Sequence, residues 1–154
     1  MSAYSDGLKL LARRELSVAE LRARLVEREH PPDEVDAAVA QLIDSGALDD
    51  GRVARAYART ASKVKGRGRL RVTRELQAMG IARDVIAEAV AEVFGDVDER
   101  ALIDRAVQKK LRSGKKPATV QERARLYQFL LRQGFTPAAV AAAMRRLGGA
   151  SREE

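Results

Sequence analysis

Between Arg52 and Arg74 the chain carries nine basic residues and no acidic one: Arg52, Arg55, Arg59, Lys63, Lys65, Arg67, Arg69, Arg71 and Arg74. Guanidinium and ammonium groups at this density bind anions, either phosphates or carboxylates. Arg52, Arg55, Arg59 and Lys63 step by 3, 4 and 4, which puts them on one helix face. Arg67, Arg71 and Arg74 share a second face, and the two faces flank a Gly66-Arg67-Gly68 turn. A smaller set, Arg105, Lys109, Lys110, Arg112, Lys115 and Lys116, precedes Pro117 and extends the basic surface. Residues 16–51 are the opposite, with nine carboxylates against three arginines.

Other chemistries find little support. Glycines at 66 and 68 would let backbone amides approach a phosphate at a helix start. No G-x-x-x-x-G-K-[ST] pattern, preceding strand or metal-holding carboxylate accompanies them, so the expected use is a flexible turn that presents arginines. There is no cysteine, which excludes disulfides, thiolate nucleophiles and Cys-based metal sites. The single histidine, His30, has a packing or helix-start explanation, and Asp49 and Asp50 read as capping carboxylates. No serine is paired with an oriented base, so a non-enzyme without cofactor or metal is expected. Tyr57 is the one aromatic inside the basic block and its register points inward, which disfavours base stacking.

The elements that position these cations are helices. Alanine occurs 27 times and arginine 22, both strong helix formers, and the four prolines fall where helices begin. Ser17-Val18-Ala19-Glu20 and Thr119-Val120-Gln121-Glu122 place a hydroxyl three residues before a carboxylate, a helix-start signal. Gly80 and Gly134 sit where helices stop. With 154 residues, a net charge of +7, a hydrophobic content of 45% and a charged content of 33%, an ordered protein with acidic partners is expected. The first residues lack a secretory pattern and no apolar run reaches bilayer length, so a cytoplasmic, non-membrane protein is expected.

The chain also repeats. Leu21, Leu25, His30, Val35, Val39 and Leu42 are spaced by 4, 5, 5, 4 and 3. The same steps recur 51 residues on, at Val72, Leu76, Ile81, Ile86, Val90 and Val93. They recur after a further 54 at Leu126, Leu130, Phe135, Val140, Met144 and Leu147. Each copy reads as a helical hairpin. An upstream helix precedes each, at about 5–14, about 50–64 with Val53, Tyr57 and Val64 inward, and about 98–112 with Leu102, Ala106 and Leu111 inward. The expected fold is all-α: three tandem three-helix repeats, about nine helices, stacked into an elongated curved array. The expected boundaries are 1–48, 49–95 (the basic repeat) and 96–149, with 150–154 a frayed tail.

The bland explanation of a charge run is solvated helix surface, and the repeat tests it. Arg74 matches Ala23 and Gln128, Arg67 matches Leu16 and Gln121, and Arg69 matches Val18 and Arg123. Packing alone does not require arginine there, while crowded like charge costs self-repulsion, so an anionic partner is the better explanation.

Several stretches resemble the RecX family of RecA regulators. Arg13-Arg14-Glu15-Leu16-Ser17 with Glu20-Leu21 and Leu25 is similar to its opening signature, and Leu48-Asp49-Asp50 with Ala54 and Tyr57 to its middle one. Gly66-Arg67-Gly68-Arg69-Leu70, followed by Glu75-Leu76 and Gly80-Ile81, resembles its most recognisable stretch. Phe129-Leu130-Leu131-Arg132-Gln133-Gly134-Phe135 resembles its C-terminal one. The resemblance covers residues 8–147 and implies three three-helix repeats in a cytoplasmic protein. Such a protein lies in the groove of RecA–DNA filaments and suppresses ATP hydrolysis and strand exchange.

The expected partners are therefore the RecA filament and, weakly and electrostatically, single- or double-stranded DNA. Arg52, Arg55, Arg59, Lys63, Lys65, Arg67, Arg69, Arg71, Arg74, Lys109, Lys110 and Arg112 form the expected contact set, led by Arg67, Arg69, Arg71 and Arg74. The competing class is a stand-alone helical DNA-binding, transcriptional protein. Its weakness is that Ala82-Arg83-Asp84 and Ala87-Glu88-Ala89 offer little to base edges.

Overall fold

A computed structural model describes residues 1–112 and 114–148. Among them are nine helices and no strand: α1 (Ala3–Arg13), α2 (Val18–Glu27), α3 (Pro32–Asp44), α4 (Asp50–Lys63), α5 (Arg69–Ala78), α6 (Arg83–Phe94), α7 (Glu99–Lys110), α8 (Val120–Arg132) and α9 (Pro137–Gly148). The tail expected to fray lies outside the described residues.

Local chemistry sets the helix starts. Ser17 Oγ accepts from the Glu20 amide at 3.1 Å while the Glu20 carboxylate accepts from the Ser17 amide at 2.9 Å, a complete capping box. Thr119 accepts from the Glu122 amide, but Glu122 reaches back one residue further, to the amide of Ala118. Pro32 and Pro137 occupy first-turn positions, where a missing N–H costs nothing.

The hairpin turns are one motif used three times. His30, Ile81 and Phe135 donate their amides to the carbonyls of Leu25, Leu76 and Leu130, and Glu29, Gly80 and Gly134 donate to Val26, Gln77 and Leu131. The residue before each apolar position is left-handed, at φ 65° for Glu29, 78° for Gly80 and 100° for Gly134. Every position of the repeat template is buried except His30, Val90 and Leu147, which are half-buried. Burying one such aliphatic side chain is worth about 1.5–3 kcal/mol, which is why the spacing survives in all three copies.

The chain divides into two compact units. Met1–Tyr57 and Glu75–Ala89 form one, and Ala58–Arg74 with the described residues from Val90 onward form the other. In the first, α1 packs on α2 and α3 around Leu10, Leu16, Leu21, Leu25, Val35, Leu42 and Leu48. In the second, α7, α8 and α9 enclose Leu102, Ile103, Leu126, Leu130, Phe135, Val140 and Met144.

The upstream helices need one correction. Val64, expected inward with Val53 and Tyr57, is 73% exposed because α4 ends at Lys63 and Val64 belongs to the turn beyond it. The buried residues of α4 are Val53, Ala54, Ala58, Ala61 and Ser62, with Tyr57 half-buried. Alanines thus supply much of the inward surface that the larger side chains were expected to form. On α7, Ile103 is fully buried beside Leu102 and Ala106, whereas Leu111, just past the helix end at Lys110, is half-buried.

Candidate anionic-partner interface

The geometry begins at the end of α4. Beyond Lys63 the chain turns through Val64-Lys65-Gly66, with Gly66 at φ 66°, and Arg67 donates its amide back to Ala61. Gly68 then donates to the Gln133 carbonyl at 2.8 Å and Leu70 to the Gly134 carbonyl at 3.1 Å. The approach is so close that a Cβ on Gly68 would lie 2.5 Å from the Gly134 backbone, and one on Gly134 would lie 2.4 Å from Arg71 Cβ. The expectation of a flexible turn is therefore overturned, although Arg69 within it remains exposed. The turn is docked through its backbone, and the amides of Arg67, Gly68 and Leu70 are already engaged, so they do not cradle an anion.

One repeat earlier the same junction appears within the first unit. Ser17, which matches Gly68 in the repeat, donates its hydroxyl to the Met79 carbonyl at 2.6 Å, and a Cβ on Gly80 would come within 2.5 Å of Ala19 Cβ. The start of one hairpin is thus seated on the turn of the next in both cases. Asp50, read as a cap for its own helix, accepts from the Val18 amide at 2.8 Å, while Asp49 accepts from the Arg52 amide at 3.1 Å.

Docking of the 66–70 turn leaves a small cleft, open to solvent, in the second unit. Lys63 and Lys65 stand on one side and Arg105 and Lys109 of α7 on the other, with Val64, Leu102, Ala106 and Phe129 as apolar wall and Gln133 completing it. Among the described residues no carboxylate lines the cleft. Lys110 places its Nζ 4.8 Å from the centre of the Phe129 ring, a cation–π contact. Two basic stretches separated by some forty positions in the sequence thus meet at one opening.

The twelve expected contact residues separate into two groups. Arg52 is consumed by the fold. It bonds Glu15 through Nε and Nη2, the latter at 3.0 Å, and donates to the carbonyls of Gly46 and Ala47 at 2.8 and 3.1 Å. Hydrogen bonding to Glu15 raises its pKa above the ordinary arginine value. Arg71 donates to Gln133 Oε1 at 2.7 Å, and Arg55, Arg67 and Arg71 are half-buried with partners in the fold. By contrast Arg59, Lys63, Lys65, Arg69, Arg74, Lys109, Lys110 and Arg112 are exposed. Among the described residues, Lys63, Lys65, Arg105 and Lys109 form no ion pair. Of the four arginines given the leading part, only Arg69 and Arg74 point to solvent.

Phe129 and Val64 were missed as site residues, the first because it lies far outside the basic block and the second because it was placed inward. A different polar cluster was missed altogether. Asp6 is buried, and its carboxylate meets His30 Nε2 at 2.8 Å and Arg28 at 2.7 Å, so His30 trades the apolar contact of Ile81 and Phe135 for a polar link between α1 and the first hairpin turn. Among the described residues no group of His, Asp and Glu side chains is arranged to hold a metal ion, and no helix is long and apolar enough to cross a membrane.

Among the described residues, nine helices in three like-built hairpin modules, with a cationic cleft beside the second hairpin's start, define an all-α helical-repeat protein. Family models named RecX, first, second and third three-helix domain, match residues 3–42, 49–90 and 98–144. The chain belongs to the RecX family. It is 38% identical to the Regulatory protein RecX of Halorhodospira halophila (strain DSM 244 / SL1), over 89% of this chain and 83% of that one. It is 32% identical to that of Pelodictyon phaeoclathratiforme (strain DSM 5477 / BU-1), over 94% and 88%. The fold is shared with the crystal structure of RecX from Lactobacillus salivarius, at a TM-score of 0.81 and 19% identity over 94% of each chain. A second RecX crystal structure matches at a TM-score of 0.78 and 22% identity, over 89% of this chain and 67% of that one.

Proposed function

We propose that this chain is a non-catalytic, cytoplasmic regulator that binds RecA–DNA filaments in their groove. It restrains RecA ATP hydrolysis, strand exchange and the recombination and SOS activity that depend on them. The observation that carries the reading is the cleft flanked by Lys63, Lys65, Arg105 and Lys109, four cations that, among the described residues, form no ion pair and have no carboxylate lining their opening. Uncompensated like charge held at one opening is costly unless an anionic surface meets it. Membership in a family whose relatives are named regulatory proteins supports a role exerted by binding rather than by turnover. Direct contact with DNA, where it occurs, is electrostatic and weak.

The test compares two triple charge reversals of equal size. Lys63→Glu/Lys65→Glu/Lys109→Glu strikes the cleft, while Lys9→Glu/Arg24→Glu/Arg83→Glu alters exposed positions elsewhere. In a RecA ATPase assay on single-stranded DNA the first is expected to lose inhibition by about tenfold or more in effective concentration and the second to retain it. Equal behaviour of the two would defeat the reading. The alternative of a transcriptional DNA reader would be favoured by sequence preference that survives added salt. Around the start of α6, Arg83 is the one exposed side chain that could donate to a base edge; Ala82, Asp84, Ala87 and Glu88 offer little.

A further inference from the structure

We infer that the cleft between the end of α4 and helices α7 and α8 receives an acidic peptide segment bearing one apolar anchor residue. The anchor seats between Val64 and Phe129, and the flanking carboxylates meet Lys63, Lys65, Arg105 and Lys109. The inference rests on the proposed filament-binding reading and deepens it, because it assigns this cleft to a protein segment of the partner and not to nucleic acid.

Three features carry it. The opening is amphipathic: its lining combines the apolar side chains Val64, Leu102, Ala106 and Phe129 with the cations Lys63, Lys65, Arg105 and Lys109, and among the described residues no acidic group lines it. Val64, at 73% exposure between two lysines, is one of few large apolar side chains left in water, and it stands at this opening. An anion alone would leave that surface wet, whereas an apolar residue within an acidic segment covers it and neutralises the cations together. Single-stranded DNA has the charge but not the fit. Stacking a base needs an open aromatic face, and the Phe129 ring is half-buried with the Lys110 ammonium already over it at 4.8 Å. The 66–70 turn could have gripped a phosphate through its amides, but those of Arg67, Gly68 and Leu70 bond to Ala61, Gln133 and Gly134.

A single short contact of this kind is weak, with a Kd on the order of 10–100 µM. It gains from repetition when the segment recurs along a polymer.

The experiment uses the full chain and a fluorescein-labelled decapeptide of Asp and Glu with one central Phe, read by anisotropy. Controls are the same peptide with Phe replaced by Ser and a labelled thymidine decanucleotide. Binding of the Phe peptide is expected to weaken by about tenfold on the Phe-to-Ser change, and similarly on Val64→Asp or on Lys63→Glu/Lys109→Glu. All three protein positions are exposed, and circular dichroism checks that the variants stay folded. Binding that ignores both the peptide's anchor and Val64, or no binding at all, overturns the inference. A decanucleotide that binds more tightly than the peptide and is lost in the same variants overturns it in favour of DNA. The RecA ATPase assay run in parallel separates the two levels. If the cleft reversals abolish inhibition while anchor-dependent peptide binding is absent, the inference fails and the filament reading stands. If anchor-dependent binding is present while the unaltered chain leaves RecA uninhibited, the filament reading fails and the peptide site stands.

Discussion

At the scale of single residues, Glu29 and Gly134 occupy equivalent turn positions with different demands. Glu29 takes φ 65°, a conformation that costs a side-chain-bearing residue about 1 kcal/mol or more, and its side chain is exposed. Glu29→Gly is expected to stabilise the protein by about 0.5–1 kcal/mol, seen as a higher midpoint in urea unfolding. Gly134→Ala should do the reverse and cost about 2–4 kcal/mol, because it adds a Cβ both to a left-handed residue and into the 2.4 Å gap at Arg71 Cβ. Both glycines flagged as helix stops were legible in the sequence as stops. Their second task was not, since a close approach between residues 68 and 134 has no local signature. His30 was hidden for a similar reason: its partner Asp6 lies on another helix, and nothing near His30 in the chain points to it. Asp6→Ala strips the carboxylate from Arg28 and leaves His30 without its bond. It is expected to lower stability by about 2–3 kcal/mol in the same unfolding measurement.

At the scale of elements, the capping box and the hairpin turns could be read directly, because their hydrogen bonds run between residues three to five apart. Ser17 does more than cap. Its hydroxyl also reaches the Met79 carbonyl at 2.6 Å, so Ser17→Ala should cost about 1–2 kcal/mol, more than an ordinary cap, while Thr119→Ala should cost about 1 kcal/mol or less. Thermal denaturation of the two variants side by side checks the difference. The inward face of α4 was the least legible element. A periodicity built on Val53, Tyr57 and Val64 overlooks alanines, which bury fully while adding little apolar contrast to the pattern. That error concealed Val64, one of the four apolar side chains that line the cleft. The cleft itself needed Lys63 and Arg105 to be neighbours, which the repeat pattern, silent on how helices from different copies meet, could not supply.

At the scale of the molecule, the net charge of +7 is no even coat, since Arg52, Arg55, Arg67 and Arg71 are engaged internally and the unpaired cations of the cleft lie in one compact unit. Attraction of this kind acts over roughly 8–10 Å in physiological salt. On the proposed reading, inhibition of RecA should therefore weaken about tenfold or more between 50 and 200 mM KCl, chiefly through slower association, and a stopped-flow titration would resolve the rate. The junction used twice, at Met79-Gly80 and at Gln133-Gly134, has a further consequence for growth of the array. A hairpin turn accepts the start of another hairpin only where its left-handed residue lacks a Cβ, and at the first turn that residue is Glu29. A second molecule offering its own helix start there would collide with that side chain. The same contact made head to tail at the first turn would thus meet a side chain where the second and third turns present none.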